Sequence, residues 1–241
     1  MSNHLHLLLT DVSARLPEFM QLAMSLIARA LNPHVGNTEN FWRPGSYNDV
    51  AVETDEAVVE QGAYTLANPV AANLVFDPGE WPGAFSDPAA FGTETVIARP
   101  EVFFLMDGDL PETATLRLTV PKGFASAAEF RERVVSRLDE LVRLARDKAR
   151  AKGKPFLGRQ RVLDQAPLSR PTSPPPRRSP KPLVAARDPE RLKQALARIR
   201  EFLERYRAAW RKREAGTLAE IFPAGTYLLR VQHHQPCEAF G

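Results

Sequence analysis

Apolar and polar positions change period several times along this chain, and each change marks a predicted element. His4-Leu5-His6-Leu7-Leu8-Leu9 is too short for a helix and predicts a buried strand ending near Asp11. Ser13 or Pro17 then opens a helix on which Phe19, Leu22, Ala23, Leu26, Ile27 and Ala30 recur every three or four residues. Pro33 and Gly36 end it. A loop with Phe41, Trp42 and Gly45 leads to a strand from Tyr47 to Val52. Thr54 or Asp55 caps a second helix, with Glu56 in the first turn where the helix dipole favours an acid. Pro69 pushes Asn68 out of helical geometry, so this helix is expected to stop at about Ala67.

From Phe76 to Pro88 the pattern dissolves into Gly, Pro and Asp, which reads as a loop. Thr95–Ala98, Val102–Met106 and Ala114–Val120 read as short strands. A long amphipathic helix is expected from about Ala125 to Lys152, with Phe130, Val134, Leu138, Leu141 and Leu144 on one face. Residues 153–187 read as an extended linker, since seven prolines fall between Pro167 and Pro182. Asp188-Pro189-Glu190 starts another helix, carrying Leu192, Leu196, Ile199, Leu203, Tyr206 and Trp210 to about Arg213. A last strand is predicted at Tyr227–Val231. The fold class is α+β, and no internal repeat is visible.

Composition narrows the reading. The 241 residues are 44% hydrophobic and 25% charged, which excludes fibrous and wholly disordered chains. The Leu22–Leu31 run is broken by Ser25 and Arg29 and is too short to span a membrane. The start lacks the basic residues of a signal peptide. The single cysteine, Cys237, fits a reducing compartment, and a cytoplasmic location is expected. The net charge of +3 hides an asymmetry. Residues 1–120 carry 5 Lys+Arg against 16 Asp+Glu, while residues 121–241 carry 27 against 13. Only the second half suits a polyanion, with Arg177 and Arg178 and the Arg-rich helices as candidate DNA contacts; the same charges also read as solvated faces.

Two constellations carry candidate chemistry. On a strand, His4 and His6 share a face while Leu5, Leu7 and Leu9 enter the core, and two imidazoles on one face are half of a divalent-metal site. Tyr64 and Asn68 lie four apart on a helix, hence on one side one turn apart. A tyrosine hydroxyl can attack phosphorus, and an asparagine oxygen can complete a metal site beside it. The same residues also read plainly: Tyr64 as a half-buried aromatic, and Asn68-Pro69 as the cap and first position of a short helix through Leu74. His233, His234 and Cys237 lack a second ligand pair and read as a polar tail.

The order of these pieces resembles a known family. Asn3-His4-Leu5-His6-Leu7-Leu8-Leu9 resembles the His-hydrophobic-His (HUH) motif of single-tyrosine transposases. Tyr64-Thr65-Leu66-Ala67-Asn68-Pro69-Val70 resembles their tyrosine helix, with Phe41-Trp42 matching the segment between and Asp77-Pro78 and Trp81-Pro82 the end of the domain. The subgroup most similar is the REP-associated tyrosine transposases, over residues 1–82.

The resemblance implies a ferredoxin-like α+β domain working as a homodimer. In it, His4, His6 and Asn68 hold Mg²⁺ or Mn²⁺, and Tyr64 attacks single-stranded, hairpin-marked DNA to leave a 5′-phosphotyrosine and a free 3′-hydroxyl. In relatives the motif follows a first strand, helix and strand, whereas here it begins at residue 4, so the expected domain is N-terminally truncated. The division expected is 1–82 for the later part of the transposase domain, 83–152 for an extension with short strands and a long helix, 153–187 for the linker and 188–241 for a last helix and strand. The alternatives are a non-catalytic DNA-binding remnant of such an enzyme and a helical partner-binding protein.

Overall fold

The computed structural model describes residues 4–12, 15–38, 40–42, 48–101, 104, 108, 110–166, 184–186, 188–231 and 233–239. It is a mixture of helix and small sheet, in keeping with the α+β class. The chain gathers into two compact units whose boundaries differ from the expected division. The first comprises Met1–Leu8 with Thr54–Arg177, and the second Leu9–Glu53 with Arg178–Gly241.

The first unit is organised by two helices, α2 (Asp55–Ala71) and α3 (Ala127–Ala151), numbered after α1 (Leu16–Val35) of the second unit. Thr54 caps α2 by accepting from the Ala57 N–H at 3.1 Å, and Ser126 caps α3 by accepting from Glu129 N–H at 3.1 Å. Small residues on α2 let α3 come close. Ala63 is fully buried, and a Cβ on Gly62 would lie 3.8 Å from Val134 Cγ2. Val59, Leu66, Ala67 and Val70 of α2 then meet Phe130, Val134, Leu138 and Val142 of α3 in one core. Phe130 also stacks on Phe91 at 5.1 Å and tilts against Phe124 at 4.8 Å.

Helix α2 does not stop at Ala67. It runs through Pro69 to Ala71, so Asn68 is neither its end nor a cap. Pro69 falls in the last turns, where its missing N–H forfeits a single hydrogen bond, and its buried ring and Val70 pack into the core. The chain turns at Asn73, whose φ of 59° is left-handed, and Leu74 N–H closes onto Pro69 O.

The rest of the unit hangs on this pair. Strands β2 (Glu94–Ala98) and β3 (Thr113–Arg117) form an exposed antiparallel ribbon in the register Glu94↔Arg117 to Ala98↔Thr113. Of the strand expected at Val102–Met106, all but Phe104 lies outside the described residues. Residues 153–166 are not free linker. Leu157 and Gly158 donate to Asn73 O and Leu74 O at 2.9 and 2.8 Å, tying them to the end of α2, and α4 (Arg159–Leu163) follows. The proline-rich stretch 167–183 lies outside the described residues.

In the second unit α1 ends in a left-handed Gly36 (φ 66°), and no α1 residue is fully buried. Strand β1 (Ala51–Val52) pairs in parallel with β4 (Val184–Ala185). Asp188 caps α5 (Pro189–Glu214), and the fully buried Phe222 gathers Tyr206 and Trp210 at 5.9 and 6.2 Å. Tyr227–Val231, expected as a strand, is the short helix α6. It carries one β-branched residue, Val231, and the Arg230 N–H closes a helical turn onto Thr226 O.

Candidate active site around Tyr64

Residues 4–8 lie in the same unit as α2, with their odd and even positions facing differently. The expected strand has no ladder partner among the described residues, and its leucines are not buried: Leu5, Leu7 and Leu9 are 45%, 45% and 48% exposed. His6 and the 38%-exposed Leu8 are the residues that meet α2. A Cβ on Gly62 would sit 3.7 Å from Leu8 Cδ2, and His6 meets Tyr64. The burial expected for the leucines thus falls partly on His6, because the extended backbone needs only one face to rest on a helix.

Three of the four site residues form a chain of ring contacts. The His4 and His6 centroids are 4.8 Å apart with the rings at 86°, and those of His6 and Tyr64 are 5.7 Å apart at 88°. Both are edge-to-face contacts of the kind aromatic quadrupoles favour. The His6 ring nitrogen Nε2 is buried and has no hydrogen-bond partner among the described residues. Burial, with a smaller contribution from the charge of His4, holds the His6 imidazole below its ordinary value of 6.5, so near neutral pH it keeps its lone pair. Asn68 is half-buried one turn beyond Tyr64 on α2, where its backbone carbonyl accepts from Ala72 N–H at 2.9 Å. Tyr64 is 45% exposed, open to a large ligand. Arg177 and Arg178 lie outside the described residues.

The donor set bears directly on a metal. Among the described residues no three His, Cys, Asp or Glu side chains cluster in a way that holds an ion. The expected set is different, two imidazoles and an amide oxygen. A neutral, buried and unpartnered imidazole nitrogen beside a second histidine is what a divalent cation needs from its first two ligands, and the residues fit in that respect.

A cleft of about 420 Å³ opens beside Tyr64, between the C-terminal ends of α2 and α3. Asn73, Leu144, Lys148, Lys152 and Lys154 line it with Tyr64. None of these residues but Leu144 stands out in the sequence as a candidate. Their signal was present as lysines four apart, followed by Gly-Lys, on the helix end facing the tyrosine helix. Leu144, expected on the buried face of α3, is 48% exposed and belongs to this cleft. The buried line runs Phe130, Val134, Leu138, Val142 and Ala149, and Leu144 lies off it. No protein-family model, curated protein or solved structure matches this chain.

Proposed function

We propose that this chain is a DNA transposase of the HUH single-tyrosine type, cleaving and rejoining single-stranded, hairpin-marked DNA. The observation that carries the reading is the contact of His6 with both His4 and Tyr64, which joins two motifs far apart in sequence. In this reading His4, His6, Tyr64 and Asn68, all in the first compact unit, belong to a ferredoxin-like domain that works as a homodimer.

Tyr64 is the nucleophile. Its oxygen bonds to phosphorus as the bond to the 3′-oxygen breaks, leaving a 5′-phosphotyrosine; the phenolic proton is lost and the departing 3′-oxygen gains one. Attack by that hydroxyl on the phosphotyrosine reverses the step and rejoins the strand. The edge contact with His6 restricts the Tyr64 ring, which is worth rate because in-line attack demands a fixed nucleophile. His4, His6 and Asn68 would hold Mg²⁺ or Mn²⁺, which when bound supplies neutralisation of the phosphoryl oxygens. His6, kept neutral by burial, meets that role without first losing a proton.

The test is a hairpin-bearing single-stranded oligonucleotide incubated with the protein and Mg²⁺. A protein–DNA adduct that survives denaturant is expected from the wild type. It should vanish in Tyr64→Phe while DNA binding persists, and His6→Ala should lose Mn²⁺ binding. An adduct retained by Tyr64→Phe would mean that another residue attacks. The basic balance of residues 121–241 favours a second reading, a non-catalytic DNA-binding protein; DNA binding with no adduct from the wild type would select it.

A further inference from the structure

The arginines and lysines of α3 are used differently. All six arginines of the helix are engaged by protein groups. Arg131 donates to Pro88 O and Ala89 O, Arg133 faces Glu56 and Glu129, Arg137 grips Glu60, and Arg146 holds Phe76 O and Asp77. Arg143 and Arg150 share Asp147. Lys148, Lys152 and Lys154 have no ion pair among the described residues, and all three line the cleft beside Tyr64. The turn after α3 brings them together. Gly153 takes a left-handed φ of 59°, and Lys154 N–H returns to Ala149 O at 2.9 Å, placing Lys154 back beside Lys148 and Lys152.

Asn73 lines the cleft as well. Its Nδ2 is buried and has no hydrogen-bond partner among the described residues, a costly state for an amide. Of the last carbonyls of α3, those of Lys148, Ala149 and Arg150 are occupied by the Lys152, Gly153 and Lys154 N–H groups. Leu141 and Leu144 give the cleft an apolar side. Three ammonium groups, one amide donor and an apolar wall fit a strand of phosphates whose bases are unstacked and free to lie against leucine.

We propose that Lys148, Lys152, Lys154 and Asn73 form a subsite for the single-stranded DNA flanking the phosphate attacked by Tyr64. This inference rests on the transposase reading, which it deepens by assigning strand capture to a helix outside the 1–82 segment. Tyr64 is the hinge of the arrangement, touching His6 on one side and lining the cleft on the other.

The experiment is fluorescence anisotropy of the full chain with a fluorescein-labelled single-stranded oligothymidylate across a salt series. The triple variant Lys148→Ala/Lys152→Ala/Lys154→Ala is compared with a charge-matched control, Lys122→Ala/Arg143→Ala/Arg161→Ala, whose cations are exposed and outside the cleft. The lysine variant should bind at least about tenfold more weakly at low salt, and its log–log salt slope should flatten by about two, the release expected for three lost phosphate contacts on a single strand. The control should lose less than about threefold. Asn73→Gly keeps the left-handed turn but deletes the amide, and should weaken binding without changing the slope. Equal losses in the two triple variants, or no binding by the wild type, would overturn the subsite. The covalent adduct is scored separately: its absence from the wild type counts against the Tyr64 chemistry, while the anisotropy comparison still decides the subsite.

Discussion

Helices α3 and α5 have 25 and 26 residues, start from side-chain caps and are rich in arginine, yet they are held in different ways. Along α3, Phe130, Val134, Leu138, Val142 and Ala149 are buried in one line. On α5 only Ala195 and Ala209 are buried; Leu192, Ile199, Phe202 and Tyr206 are half-buried, and Leu196, Leu203 and Trp210 stay more than a third exposed. The difference lies in the partners. Helix α2 offers a full helical face in which Gly62, Ala63 and Ala67 leave room for the side chains of α3. Helix α5 meets a two-residue strand and the segment around Phe222, which cover a few positions and leave the rest to solvent. Amphipathic spacing predicts a helix, but the size of the facing residues decides how much of its stripe is buried.

The largest expected effect breaks this comparison at its centre. Phe130 is 4% exposed and touches two other phenylalanine rings, so Phe130→Ala should cost about 3–5 kcal/mol through lost burial and the cavity left behind. Phe202 on α5 is half-buried and stacks on Tyr206 at 6.3 Å, and Phe202→Ala should cost only about 1 kcal/mol. Chemical denaturation checks both. The two compact units call for separate fits wherever the unfolding curve shows two steps. Equal costs would mean that α5 is buried as deeply as α3.

The caps and spacing of these helices were legible in the sequence because both are local. Asp188-Pro189-Glu190 and Thr54-Asp55-Glu56 state their own helix starts, and the Pro17 and Gly36 signals bound α1 within about a turn. What failed was decided by tertiary context. Pro69 reads as a helix end by itself, yet the buried ring and Val70 keep the last turn of α2 in the core. Leu5, Leu7 and Leu9 read as core because nothing local says which face of an extended segment meets a helix; the histidine face does. Tyr227–Val231 is too short for its period to separate strand from helix. In the candidate site, His4, His6, Tyr64 and Asn68 were visible as motifs. Asn73 and the three lysines were not, because their meaning comes from two helix ends that converge only in the fold.

A second comparison, smaller in size, concerns ion pairs. Arg137 Nε and Nη2 hold both oxygens of Glu60 at 2.7 and 2.9 Å across the α2–α3 contact, and Glu140 adds a further acceptor. The two pairing side chains are only 23% and 24% exposed, and the Glu60 and Glu140 carboxylates hold the guanidinium further toward its charged form. A double-mutant cycle with Arg137→Met and Glu60→Gln should give a coupling of about 1 kcal/mol, the value expected for a bidentate, partly buried pair. Arg205–Glu238 in the other unit has side chains 49% and 42% exposed, and its cycle should give less than about 0.5 kcal/mol. Raising the salt concentration should erase most of the second coupling and little of the first.

The smallest effects separate the units by pH. His6 sits in the first unit with its proton affinity lowered by burial and, secondarily, by His4. The unfolded imidazole binds a proton more readily than the folded one, so this stabilisation is full above the ordinary value of 6.5 and is lost as pH falls through the lowered folded value. Cys237 sits in the second unit with its thiol pushed up by burial, an effect that Arg230 partly offsets. Here the folded state favours the neutral thiol. The stabilisation is full below the ordinary 9.0 and is lost as pH rises through the raised folded value. The first unit should therefore weaken toward acid and the second toward alkali. Without added metal, the gap in stability between wild type and His6→Gln should shrink between pH 7.5 and about 5, while the gap for Cys237→Ser should shrink only above about pH 9. Denaturant midpoints measured at these pH values check both limbs. A His6→Gln gap that holds constant down to pH 5 would mean that the imidazole is not desolvated against Tyr64, and the contact on which the active-site reading stands would lose its support.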